Sequence, residues 1–246
     1  MNYIFVFIIG FILGSFFNVC IYRISRKQSI IFLSPYCPEC NYKIPSYDLI
    51  PVINYFFLRG RCRNCKDKNF FQYLLVKLIS GFLYVVMFNK FGLEKELIVF
   101  LFLMSLLIII SFIDLYFKII PNSLVLLGGI VGVPLSLWRG LTIQEIVLGS
   151  LVGFLIMLSI ALVSKGGMGG GDVKLVGMLG LYLGWRLILI TLFLSFLVGA
   201  VGGIILIMLK IKDRKDYIPF GPFIAFGAML AVLFGFDLMN WYLNFL

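Results

Sequence analysis

The chain has 246 residues, 62% of them hydrophobic and 13% charged, with a mean hydropathy of +1.08, a composition that excludes an ordinary soluble domain. Its formal net charge is +10, from 21 Lys and Arg against 11 Asp and Glu; in so apolar a chain this points to basic loops kept in the cytoplasm rather than to nucleic-acid binding. With no His at all, it cannot build a Ser-His or Cys-His nucleophile system, and it lacks the His ligands usual in zinc proteases.

The first apolar stretch, Tyr3–Ile21, has no basic leader and no small-residue cleavage site before its end, so it reads as a retained span and not a signal peptide. Cys20 lies within it and reads as a small apolar residue. The loop that follows, residues 22–70, carries Cys37-Pro38-Glu39-Cys40 and, after 21 intervening residues, Cys62-Arg63-Asn64-Cys65. Two Cys-x-x-Cys knuckles at this separation aim four thiolates at one point, the spacing of a zinc site. The alternatives are disulfides, disfavoured in a reducing cytosol, and a redox dithiol, for which no βαβ pattern is present. Zinc held by Cys37, Cys40, Cys62 and Cys65 has no open position, so its expected role is to fold the loop. The basic and aromatic residues beside the second knuckle, Arg59, Arg61, Arg63, Lys66 and Lys68 with Tyr55, Phe56 and Phe57, read as a surface against anionic headgroups.

Residues 71–246 are expected to form the rest of an all-α membrane bundle, with spans at Phe71–Phe88, Leu97–Ile113, Ser123–Trp138, Ile146–Val163, Val173–Gly184, Leu187–Leu209 and Pro222–Leu243. With the first, that makes about eight. The sixth is short and punctuated by glycine, the pattern of a tilted, broken or partly inserted segment. Loops 22–70, 111–121, 164–174 and 210–217 together hold 16 Lys and Arg, whereas the alternate loops hold only Lys90, Lys95, Arg139 and Arg186. The first set is therefore expected in the cytoplasm, with both termini outside.

Two acids stand where carboxylates are expensive and usually functional. Asp114 closes the third span in Phe112-Ile113-Asp114, and Asp172 follows the glycine run Gly169-Gly170-Gly171 at the junction of the fifth and sixth. The charge count puts both on the cytoplasmic side. Paired carboxylates share a proton, so one can activate a water while the other polarises an amide carbonyl, with no metal and no covalent intermediate. Glycines beside such a pair let an extended substrate strand approach the backbone. The bland alternative for Asp172 is a helix N-cap.

Taken together, the segments resemble the type IV prepilin peptidase family. The resemblance is carried by Gly14-Ser15-Phe16-Phe17-Asn18-Val19-Cys20-Ile21-Tyr22-Arg23, the two Cys-x-x-Cys pairs, Ile50-Pro51-Val52, Leu58-Arg59-Gly60-Arg61-Cys62, Ile113-Asp114, Gly169-Gly170-Gly171-Asp172-Val173-Lys174 and Pro219-Phe220-Gly221-Pro222, in family order. It implies an aspartyl endopeptidase of the bacterial inner membrane with a GxGD motif. Such an enzyme removes the basic leader of prepilins and pseudopilins after a glycine at the cytoplasmic face. The catalytic pair would be Asp114 and Asp172, with Gly169, Gly170, Gly171 and Lys174 in the active-site loop. The resemblance also implies S-adenosylmethionine-dependent N-methylation of the new N-terminus, an activity associated with the four-cysteine loop. Two stretches depart from the family pattern: Pro121-Asn122, where an acid often follows the Pro, and Tyr47-Asp48-Leu49, where an acid followed by Asn is common. The rival readings are a proton-coupled transporter relaying protons through the two aspartates and a noncatalytic pilin-assembly factor.

Overall fold

The computed structural model describes residues 3–26, 70–164, 168–210 and 218–245. Among these residues the regular structure is entirely helical: α1 (Tyr3–Ser25), α2 (Phe70–Phe91), α3 (Lys95–Phe117), α4 (Asn122–Arg139), α5 (Ile143–Val163), α6 (Gly170–Met208) and α7 (Gly221–Phe245). All seven contain a stretch long and apolar enough to cross a membrane, and the chain is a multi-pass membrane protein. The four cysteines expected to hold zinc lie outside the described residues.

Two compact units divide the chain, Met1–Val86 and Met87–Leu246. In the first, α1 and α2 pack antiparallel through small residues, with Gly10 against the Ser80 carbonyl and Tyr84, and Gly14 against the Lys77 backbone. Asn18 is buried at this seam. Its side-chain amide donates to the carbonyls of Gly14 (3.0 Å) and Tyr73 (3.1 Å), satisfying a polar group that would otherwise be stranded among apolar neighbours.

In the second unit α3 is the core helix. Its most apolar window is 72% buried, against 22% for those of α4 and α5, which therefore offer most of their surface to lipid. Helix α3 ends at Lys118, a residue in the left-handed conformation whose N–H donates to the Asp114 carbonyl (2.8 Å); Pro121 then leads into α4. At the other end of α4, Gly140 (φ 107°) closes the helix, and a capping box between Thr142 and Glu145 starts α5.

The expected sixth and seventh spans are one helical run, α6, interrupted at a single residue, Gly184 (φ 70°, ψ 176°). Both halves touch the same spot on α5: a Cβ built on Gly153 would lie 2.9 Å from Ile188 Cγ1 and 3.0 Å from Val176 Cγ1. In a straight helix those two residues would stand roughly 18 Å apart, so the chain folds back on itself at Gly184. The first half, 170–183, lies against α4 and α5. There the backbones of Gly149 and Gly180 meet directly, and the Tyr182 hydroxyl donates to the Gly128 carbonyl (2.7 Å). The returning half runs antiparallel to α7, with Leu187 against Gly235 at one end and Gly199 against Phe220 and Phe223 at the other.

Candidate active site

Asp114 lies in the last turn of α3, one turn before Phe117, and Asp172 lies in the first turn of α6. They are 58 positions apart in sequence, yet both are almost fully buried, at 2% and 3% exposure, and their carboxyl groups interact electrostatically. The helix boundary makes Asp172 the third residue of α6, where its carboxyl group accepts a hydrogen bond from the Gly169 backbone N–H, so a capping role stands beside any catalytic one. Gly169 is the N-cap and has no side chain of its own with which to cap this end. Its Oδ1 is buried without a hydrogen-bond partner.

Asp114 is held by a residue to which sequence reasoning gave no role. The Gly221 N–H donates to Asp114 Oδ2 at 2.9 Å. Gly221 is the first residue of α7, so the carboxylate sits on one of the free amides of a helix N-terminus, where the helix dipole favours negative charge. A Cβ on Gly221 would lie 2.7 Å from that same oxygen, so only glycine permits the approach. The sequence signal is Gly221-Pro222, the small residue and early proline of a helix start, but nothing in it names the acceptor.

The glycine run is used unevenly. A Cβ on Gly171 would meet Ile120 Cβ at 2.9 Å, so this glycine lets α6 close on the α3–α4 connection, whereas a Cβ on Gly170 would meet nothing within 4 Å. Lys174 points outward, and its Nζ donates to Asn122 Oδ1 at 3.1 Å, tying the start of α6 to the start of α4. That bond gives Asn122, one of the two departures from the family pattern, a structural role.

A second cluster of charge lies elsewhere. A cavity of about 330 Å³ opens among Lys90, Glu96, Arg139, Glu145, Arg186 and Asp237. Glu96 and Asp114 are 18 residues apart on α3, roughly 27 Å by helical rise, close to the hydrocarbon thickness of a bilayer. The cavity and the aspartates therefore occupy opposite ends of this unit, and none of the expected site residues lines the cavity. Gly184 belongs to the cavity end and Gly221 to the aspartate end.

Two family models match the chain, one described as the bacterial peptidase A24 N-terminal domain over residues 8–91 and one as the type IV leader peptidase family over residues 101–204. The second covers both aspartates. A Bacillus subtilis (strain 168) protein named prepilin leader peptidase/N-methyltransferase is 34% identical over 97% of this chain and 96% of its own length. Proteins of the same name from Aeromonas hydrophila (34%, over 98% and 94%) and Myxococcus xanthus (36%, over 83% and 63%) are similar too. No solved structure matches.

Proposed function

The chain belongs to the type IV leader peptidase family, and from that premise we propose that it acts through Asp114 and Asp172 as a membrane-embedded aspartyl endopeptidase. It removes the leader peptide of prepilins or pseudopilins and N-methylates the residue thereby exposed. The cut falls after a glycine at the cytoplasmic face of the bacterial inner membrane. The observation that carries this reading is that two buried aspartates on separate helices lie at one end of an apolar unit, near enough for the charge of one to act on the other.

The chemistry follows from what each group has left to give. Gly221 fixes one oxygen of Asp114, and Asp172 presents an oxygen that bonds to nothing in the protein. A proton shared by the pair leaves one carboxylate able to take a proton from water and one carboxylic acid able to donate to the scissile carbonyl oxygen. The water oxygen bonds to the carbonyl carbon, giving a gem-diol. Proton transfer to the amide nitrogen then lets the C–N bond break, releasing an amine and an acid. Which aspartate starts as the base is a property of the pair. The open space at Gly170 leaves room for an extended substrate backbone beside Asp172.

Eight crossings follow if each half of α6 spans the bilayer, since the Gly184 fold-back then lies at the outer face and Asp172 at the inner one. Cys37, Cys40, Cys62 and Cys65 are a donor set suited by chemistry to one structural zinc ion, which would organise the loop and leave the aspartates to do the hydrolysis. S-adenosylmethionine is the methyl donor.

The proton-relay reading is weaker, because such acids belong near the midplane whereas this pair lies at the end of the unit. The test is leader cleavage of a purified prepilin by the full chain in detergent. Asp114→Asn and Asp172→Asn, each with an unchanged thermal transition, are expected to lose activity by at least about a thousandfold. Variants that cut normally would make both aspartates structural and leave the proteolytic reading without a mechanism.

A further inference from the structure

Hydroxyl side chains on apolar helices usually return their hydrogen to the backbone, and this chain does so repeatedly. Ser80, Ser105, Ser159, Thr191 and Ser195 each donate to the carbonyl four residues back, at 2.6 to 2.8 Å. Among the described residues, two serines stand out as buried without any such bond. The hydroxyl oxygens of Ser111 and Ser136 are buried with no hydrogen-bond partner, and the third such buried atom is Asp172 Oδ1. A buried polar atom left unsatisfied carries a desolvation penalty and calls for a reason.

For Ser111 the reason lies three residues along α3. Residues three apart share a helix face, and helical side chains lean toward the N-terminus. The Asp114 carboxyl group therefore hangs over the turn that carries Ser111. One Asp114 oxygen is taken by Gly221, and the carboxyl group of Asp172 acts on the same place. Two of the three orphaned oxygens thus belong to residues tied to Asp114, Ser111 one turn away on the same helix and Asp172, whose charge acts on it.

We infer that Ser111 is a positioning residue of the cleavage reaction, its hydroxyl accepting a hydrogen bond from the attacking water. The water gives one hydrogen to the aspartate acting as base and the other to Ser111 Oγ. Its free lone pair is then turned toward the scissile carbonyl carbon. This inference rests on the aspartyl-protease reading.

Prepilin cleavage by the full chain in detergent tests it, with the thermal transition followed in parallel. Ser111→Ala is expected to lower kcat about tenfold with KM unchanged, because the group acts on the water and not on the substrate. Its thermal transition should be unchanged or higher, since an unsatisfied buried hydroxyl has been removed. Ser111→Thr, which restores the hydroxyl, should recover most of the lost kcat. Ser136→Ala, the same change at the other orphaned serine, should leave cleavage unchanged. The inference is overturned if Ser111→Ala keeps the wild-type kcat, if its activity and thermal stability fall together, or if Ser111→Thr is as slow as Ser111→Ala. Asp114→Asn and Asp172→Asn separate the two levels of the argument. Loss of activity in both beside a fully active Ser111→Ala sinks only the role of Ser111, whereas normal cleavage by both sinks the proteolytic reading beneath it.

Discussion

At the scale of single residues, the site depends on atoms that carry no side-chain identity. The Gly221 N–H is the only hydrogen-bond donor recorded to Asp114 among the described residues, and it is available because no Cβ stands in the way. Gly221→Ala is therefore expected to push the carboxylate off the α7 N-terminus. It should destabilise the protein by about 1–3 kcal/mol and depress cleavage, as read by detergent melts and prepilin turnover. The glycine run gives a sharper contrast. Gly171→Ala should lower the thermal transition, because its new methyl meets Ile120, whereas Gly170→Ala, facing open space, should melt with the wild type. Equal melting of the two variants would mean that the Gly171 contact relaxes freely. Sequence reading finds Asp114 and Asp172 because an acid in an apolar segment stands out. It passes over Gly221 and Ser111 for opposite reasons: every residue but proline has an N–H, and a serine in a helix is normally satisfied by its own backbone.

At the scale of elements, most of the helical plan is legible because lipid makes the pattern coarse. About twenty apolar residues ending at charges or glycines mark a helix, and the expected Ile146–Val163 and Ser123–Trp138 fall within the observed Ile143–Val163 and Asn122–Arg139. The third expected span stops at Ile113 while α3 continues to Phe117, which draws Asp114 inside a helical turn. The extra turn is passed over because the charge of Asp114 reads as the end of a span, although Leu115, Tyr116 and Phe117 beyond it are again apolar or aromatic. The fold-back in α6 is harder still, since a single residue makes it. Gly184 holds a φ/ψ combination that essentially only glycine adopts. Gly184→Ala is expected to lose about 1–3 kcal/mol of stability and to slow cleavage although it lies at the end away from the aspartates. A variant with wild-type melting and turnover would show that the two halves of α6 reverse without help from this residue.

For the whole molecule, Asp114, Asp172, Gly221 and Ser111 all belong to the unit Met87–Leu246, whereas the four cysteines precede it in the chain. Replacing Cys37, Cys40, Cys62 and Cys65 together by Ser should abolish zinc binding by metal analysis. It should reduce methyl transfer more than about tenfold, the scale on which lost metal support acts, while leader cleavage persists. Parallel loss of both activities would make the cysteine loop part of the proteolytic apparatus. Orientation is testable on the same cysteine-free loop: a cysteine at Gly140 should react with an impermeant thiol reagent on intact cells, and one at Lys118 only after permeabilisation. The bond from Gly221 to Asp114 joins positions 107 residues apart, and it has a consequence for biosynthesis. A ribosome must have delivered the chain as far as α7, and α7 must have entered the bilayer, before Asp114 receives its donor. On the proposed mechanism a nascent protein without α7 is inert toward the prepilins being inserted beside it, and proteolytic competence arrives only with that helix.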